Sequence, residues 1–266
     1  MMKEFSKEHL LYLKGIKRKN TFIWIMRFLI LFLLLAIWEL FARLEIIDSF
    51  ISSSPSKIII TTKKLIVENN LFYHIGVTLY ETILGYVIAV AVGYVLALLI
   101  WLNDSFKRII EPYLVVLNSL PKIAMGPIII VWFGSGNKSI IFMTFLVAVI
   151  VATITMMNGF LETDKEKILL LKSMGANKFQ IMLKLVIPGS LPTFISMLKI
   201  CVGLSWIGSI MGEYLVSRAG LGYLIVYGSQ VFKLDLIMAS TVILCILASL
   251  MYSIVVIFEK ILIKHN

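Results

Sequence analysis

The sequence holds little that could make or break a covalent bond. The nearest approach to a phosphate loop is Gly134-Ser135-Gly136-Asn137-Lys138-Ser139. Such a loop needs Gly-x-x-x-x-Gly-Lys-Ser/Thr, so that backbone amides curl round the phosphates and lysine follows the second glycine. Here the lysine is misplaced by one residue, and the stretch reads as a turn. His9, His74 and His265 are scattered, with no His-Glu-x-x-His and no Gly-x-Ser-x-Gly. Intramembrane protease and esterase chemistry therefore lack a constellation. Cys201 and Cys245 lie in apolar stretches and read as small packing residues, not as a disulfide or a zinc site. ATP hydrolysis would have to come from another chain.

What remains is a set of polar and small residues inside apolar sequence. Pro112, Pro121 and Pro127, with Gly126, interrupt one stretch. Proline frees a backbone carbonyl and kinks a helix, and lipid tolerates this only where the break lines a cavity or packs on protein. Asn118, Ser119 and Lys122 flank that kink. Lys122 could attract an anionic solute, snorkel, or pair with Glu111. A later stretch carries Ser205, Gly208, Ser209 and Gly212, and Glu213 closes it. Gly208 and Gly212 have the Gly-x-x-x-Gly spacing that lets helices approach closely. Packing is one role for these residues and a gate on a solute path is the other. Glu213 would pair with Arg218 or meet an extracytoplasmic protein. Lys199 would snorkel towards an interface.

The stretch 162–191 is the most informative. Thr163-Asp164-Lys165-Glu166 has the form of a capping box, from which a short helix would run to Met174. Gly175 would end it in the left-handed conformation. Asn177, with Gln180 three residues on, would cap a second helix carrying Phe179, Met182, Leu183 and Val186, and Pro188 would stop it. A connection between two spans could be a few residues long. This one is a bent pair of helices, basic on one side and apolar on the other. It would either dock on a cytoplasmic partner or lie on the membrane surface.

These residues need long apolar elements to position them. The chain has 266 residues, 60% hydrophobic and 15% charged, with a mean hydropathy of +0.97. A soluble domain runs nearer half apolar and a quarter charged. Six stretches suit a span of roughly 20 apolar residues: Phe22–Leu44, Ile75–Leu102, Ile109–Phe133, Ser139–Leu161, Leu191–Gly212 and Leu236–Phe258. A cleaved signal peptide fits poorly, because the first stretch is too long and no Ala-x-Ala-like site follows. The net charge of +10 sits between apolar runs. That is a topological signal rather than a nucleic-acid one. Fifteen of the 25 basic residues fall on one side if both termini are cytoplasmic. The chain then reads as an amphipathic leader over 1–21, an all-α membrane domain over 22–260 and a cytoplasmic tail over 261–266. A surface helix is expected over Ser56–Asn69.

Gly175-Ala176, ten intervening residues and Ile187-Pro188 resemble the cytoplasmic "EAA" loop of bacterial ABC-importer permeases. Leu169, Leu170 and Leu171 occupy the Glu-Ala-Ala positions, and Glu166 lies one turn earlier as a substitute charge. Leu120-Pro121-Lys122-Ile123-Ala124 with Pro127 and Trp132-Phe133-Gly134 is similar to the third-span signature of the sulfonate/taurine/nitrate-type branch. Gly203 to Gly208, Gly212-Glu213 and Gly220-Leu221-Gly222-Tyr223-Leu224 resemble its fifth span and following loop. Thr78-Leu79 and Gly85 fit the start of its second span.

The resemblance implies a permease subunit in a bacterial inner (cytoplasmic) membrane, six helices with a coupling-helix pair, and no cofactor in this chain. ATP and Mg would sit on a partner ATPase pair. A second permease subunit, expected to be another copy of this chain, and an extracytoplasmic binding protein would complete the importer. The solute would be a sulfonate, taurine or nitrate-like anion, or a vitamin precursor. Glu166, Leu170, Lys172, Met174, Gly175, Ala176, Lys178, Phe179, Met182 and Pro188 would couple to the ATPase. Asn118, Ser119, Pro121, Lys122, Ser205, Gly208, Ser209, Gly212 and Glu213 would line or gate the path. A channel or proton-coupled transporter would instead lean on intramembrane carboxylates, of which the spans hold few beyond Glu81 and Glu111. A membrane enzyme or a structural subunit is the third class.

Overall fold

The computed structural model describes residues 7–44, 53–68 and 70–263. Every regular element among them is a helix. Long runs of Leu, Ile, Val and Phe without internal turn residues favour this, since a helix satisfies its own backbone in lipid. Lys3 and the other residues before 7, Asn69, and 264–266 of the expected tail lie outside the described residues. The chain divides into two units, one through Lys63 and one from Lys64.

The first unit holds α1 (Lys7–Arg43) and most of α2 (Pro55–Glu68). Residues 7–21 of the expected leader and the first expected span form one unbroken helix. Glu39 of α1 accepts from the Ser56 backbone N–H at 3.0 Å and the Ser56 hydroxyl at 2.8 Å. A carboxylate thus occupies the amide-rich start of α2, where negative charge is favoured. Arg43 donates to the same carboxylate at 2.8 Å.

The second unit is built on α3 (Leu71–Leu102), α6 (Asn137–Leu161) and α9 (Leu191–Val216). Small residues every fourth position on α3, Gly85, Ala89, Gly93 and Ala97, form a buried stripe. A methyl on Gly85 would meet Thr144 of α6 at 2.5 Å, and one on Gly93 would meet Ala152 at 2.6 Å. The stripe therefore sets how closely these helices cross. The Thr82 and Ser209 hydroxyls share a hydrogen bond of 2.6 Å between α3 and α9.

The third expected span is broken. Helix α4 (Asp104–Ser119), capped by the Asn103 side-chain Oδ1, ends at Leu120, which is extended before Pro121. A 3-10 turn (Lys122–Met125) and α5 (Gly126–Phe133) follow, bent 87° from α4. Among the described residues, five helices are long and apolar enough to cross a membrane, and this bent pair makes up to six. Helix α11 (Leu234–Ile263) is the last. The loop expected after span five contains a further helix, α10 (Leu221–Gln230).

Candidate functional site

The loop after α6 folds into α7 (Lys165–Ser173) and α8 (Lys178–Ile181). Asp164 caps α7, accepting from the Glu166 N–H at 2.9 Å and the Lys167 N–H at 3.4 Å. The expected cap Thr163 does not take that role, and its hydroxyl is buried without a partner. An ionised side chain makes the stronger acceptor at a helix start. Gly175 has φ +83°. Its N–H bonds the Lys172 carbonyl and the Ala176 N–H bonds the Leu171 carbonyl, closing α7. Asn177 and Gln180 form the expected reciprocal cap, at 2.8 and 2.9 Å.

Pro188 does not end the second helix outright. A π turn (Met182–Val186) intervenes, in which the Ile187 N–H reaches the Met182 carbonyl, and a short helical turn (Ile187–Gly189) carries Pro188. The wider turn takes up the register that proline cannot continue.

Of the residues expected on the coupling surface, Leu170 is 60% exposed, Met174 74% and Phe179 57%. Glu166, Lys172, Gly175 and Lys178 are also exposed. Met182 is a correction: it is 5% exposed and points into the protein, so it anchors the loop. The Lys178 ammonium pairs with Asp104 at the start of α4, at 2.7 Å. Sequence reasoning passed over Asp104, which is distant in the chain and carries no motif.

The expected path residues separate into two groups. Asn118, Ser119 and Pro121 are exposed at the 87° break, and half-buried Lys122 donates to Asn118 at 3.4 Å. Lys122 forms no ion pair with Glu111 among the described residues. Ser205, Gly208, Ser209, Gly212 and Glu213 are buried within the chain. They face neighbouring helices of the same chain. Gly208 and Gly212 meet α6 backbone. Glu213 does not pair with Arg218. It accepts from the Gly222 and Tyr223 N–H groups at the start of α10. Lys199 does not snorkel free, since it pairs with Glu259 of α11 at 2.6 Å.

Three residues went unrecognised. The His74 Nδ1 accepts from the Gly220 N–H at 3.0 Å, and the Thr78 hydroxyl accepts from the Leu221 N–H at 2.8 Å. Glu81 lies beside Glu213. His74, Thr78 and Glu81 follow the i, i+4, i+7 spacing of one helix face in an otherwise apolar run. That was the available signal.

A cavity of about 420 Å³ lies between α3 and the start of α9, lined by Tyr86, Tyr94, Ser190 and Phe194 with aliphatic neighbours and no charged side chain. Tyr94 packs edge-on against Phe160 and Phe194.

Helices of this length, a broken third span and a Gly-bent surface pair define an importer-type permease. Residues 85–265 match the family of binding-protein-dependent transport system inner membrane components. The chain belongs to that family. It is 34% identical over 191 residues to the formylaminopyrimidine transport permease protein ThiX of Halalkalibacterium halodurans, covering 72% of this chain and 76% of that one. It is 23% identical to the taurine transport system permease protein TauC of Escherichia coli, covering 82% of this chain and 81% of that one. Among solved structures, an inward-facing form of the MetNI methionine ABC transporter has the same fold, with a TM-score of 0.64 at 21% identity, covering 73% of this chain and 97% of that chain. This is therefore a non-enzymatic, multi-pass membrane permease subunit of an ABC importer. Its family implies ATPase and binding-protein partners. The ion-coupled alternative is not favoured.

Proposed function

We propose that this chain carries a small solute across the membrane when a separate ATPase pair, with its ATP and Mg, closes against the loop 162–191. The observation that carries this reading is the apolar surface of Leu170, Met174 and Phe179, held outward by the Gly175 bend and the Asn177–Gln180 cap. Exposed apolar side chains on a short ordered element suit a groove on a partner. Lys172 and Glu166 would meet charges at the rim of that groove. The loop and both termini would be cytoplasmic, as the basic residues suggest. Two copies would form the pathway, with the break at Asn118–Lys122 lining it and an extracytoplasmic protein delivering the solute.

Among the solute classes, the uncharged aromatic lining at Tyr86, Tyr94 and Phe194 supports a flat heteroaromatic vitamin precursor over a sulfonate or nitrate-like anion. Aromatic faces stack on such rings, whereas an anion calls for donors and positive charge. The relative ThiX, a formylaminopyrimidine permease, agrees with this choice. Reconstitution with the partner ATPase and the binding protein tests the reading. Uptake must need both proteins and ATP, and uptake without ATP refutes it. Radiolabelled aminopyrimidine and taurine, compared in the same vesicles, decide the solute class.

A further inference from the structure

Glu81 of α3 is 0% exposed and Glu213 of α9 is 1% exposed. Their carboxyl groups lie within hydrogen-bonding reach of each other. With both ionised, neither oxygen of Glu81 and not Oε1 of Glu213 has a donor. Two sealed negative charges in contact would each carry a desolvation penalty, to which their repulsion adds. The ion pairs among the described residues, Arg43–Glu39, Lys167–Asp164, Lys178–Asp104 and Lys199–Glu259, use neither carboxyl.

The elements packed around the pair offer no cation to it. Helix α6 has only Lys138, at its start, and Lys138 is exposed, as is Arg218 between α9 and α10. Lys199 is fourteen residues from Glu213 on α9, roughly 21 Å along the helix. On α11, Lys260 stands in the last turn and Asp235 in the first. Tyr214 and Tyr223 adjoin the site and bring no cationic side chain. His74 uses Nδ1 as an acceptor, which places its proton on Nε2 in the neutral ring.

The two carboxyls are not equivalent. Glu213 accepts from the Gly222 and Tyr223 N–H groups at the N-terminus of the ten-residue α10. Amides and helix dipole both favour a negative charge there. Glu81 has no such support.

We infer that Glu81 and Glu213 share one proton, with Glu81 as the acid that donates to the Glu213 carboxylate, and that this pair is the positioning latch joining α3 and α9 to the start of α10. One proton then supplies the missing donor between the carboxyls. His74, Thr78 and Glu213 together take the amides of Gly220, Leu221, Gly222 and Tyr223, so the whole start of α10 is held by two helices. Gly220 and Gly222 belong to the same device, because a methyl on either would lie 2.3 or 2.8 Å from Glu213 Oε2.

The inference does not depend on the solute or on ATP, and its test uses neither. The full-length chain in lipid is studied in heavy water by infrared difference spectroscopy, native against Glu81→Gln and against Glu213→Gln. A carbonyl band of a protonated carboxylic acid is expected in the native protein. It is expected to be absent from both variants, because an amide in either position donates to the remaining carboxylate. Glu81→Gln should also keep the native melting temperature, whereas Glu81→Ala should melt lower. A native spectrum without the band, or a band that survives both substitutions, overturns the proposal. So does a melting temperature that rises with sodium or potassium concentration in the absence of the band, which would mean a bound cation in place of the proton.

Discussion

Thr144 of α6 lies in contact with Gly208 of α9, so near that a methyl group on Gly208 would sit 2.7 Å from the Thr144 Cα. The obstacle is backbone and cannot rotate aside. One turn on, a methyl on Gly212 would sit 3.0 Å from the Ile140 Cα. From the opposite side, Gly85 of α3 leaves room for the Thr144 side chain. Thr144 is thus enclosed by two glycines, with its hydroxyl turned onto the Ile140 carbonyl at 2.9 Å.

Gly208→Val should therefore separate α6 from α9 and destabilise the chain by about 1–3 kcal/mol, the usual cost of overpacking a filled interior. Gly203→Ala, on the same helix with open space around it, is the control and should be near neutral. Melting temperatures of the two purified variants check this. A Gly208→Val protein that melts with the native one would contradict the packing role.

Local features of this chain were legible in its sequence, and of the tertiary ones only the close approach at Gly208 and Gly212 was. The Gly175 turn and the Asn177–Gln180 cap follow from residues at most three apart, and both formed as their types require. The cap of α7 shows the limit of such reading, since Thr163 and Asp164 are neighbours and both suit the position. In sequence Glu213 only closes an apolar run. Its actual partners come from α10, hidden in an apparent loop, and from Glu81 on α3. No local rule pairs two carboxylates across helices, and the usual expectation is opposite charge. By sequence Met182 shares one apolar side of the second expected helix with Phe179, and only packing could divide that side into a buried part and an exposed one.

Asn177→Ala should loosen the second coupling helix. Loss of an N-cap costs about 1 kcal/mol. Amides at the start of α8 should exchange with solvent roughly five times faster. Gln180→Ala removes the other half of the reciprocal cap and should have a smaller effect. Hydrogen exchange followed by mass spectrometry over 175–186 reads both, and unchanged exchange in Asn177→Ala would show that tertiary packing alone holds the helix.

Gly175→Pro should uncouple ATP hydrolysis from uptake. Proline is fixed near φ −65° and has no N–H, whereas Gly175 needs φ +83° and donates to Lys172. The bend between α7 and α8 cannot survive. At least tenfold less uptake is expected, with ATPase activity of the assembled complex retained. Gly175→Ala, which strains the backbone by only about 1–2 kcal/mol, should fall between. Normal uptake in the proline variant would remove this loop from the coupling mechanism.

Lys199 and Glu259 tie α9 to α11 through a 2.6 Å ion pair whose side chains are 24% and 27% exposed. Removing one partner of a largely buried pair strands the other charge, whereas removing both restores neutrality. Lys199→Ala should therefore destabilise by about 1–2 kcal/mol after allowance for the remaining solvent contact. Lys199→Ala with Glu259→Ala should recover part of that loss. The coupling between the two substitutions in a thermal-stability cycle is the measured quantity. Strict additivity would mean that the pair is solvated and contributes nothing to holding α9 against α11. A double variant more stable than either single one would show that the pair is a true partnership between the two helices.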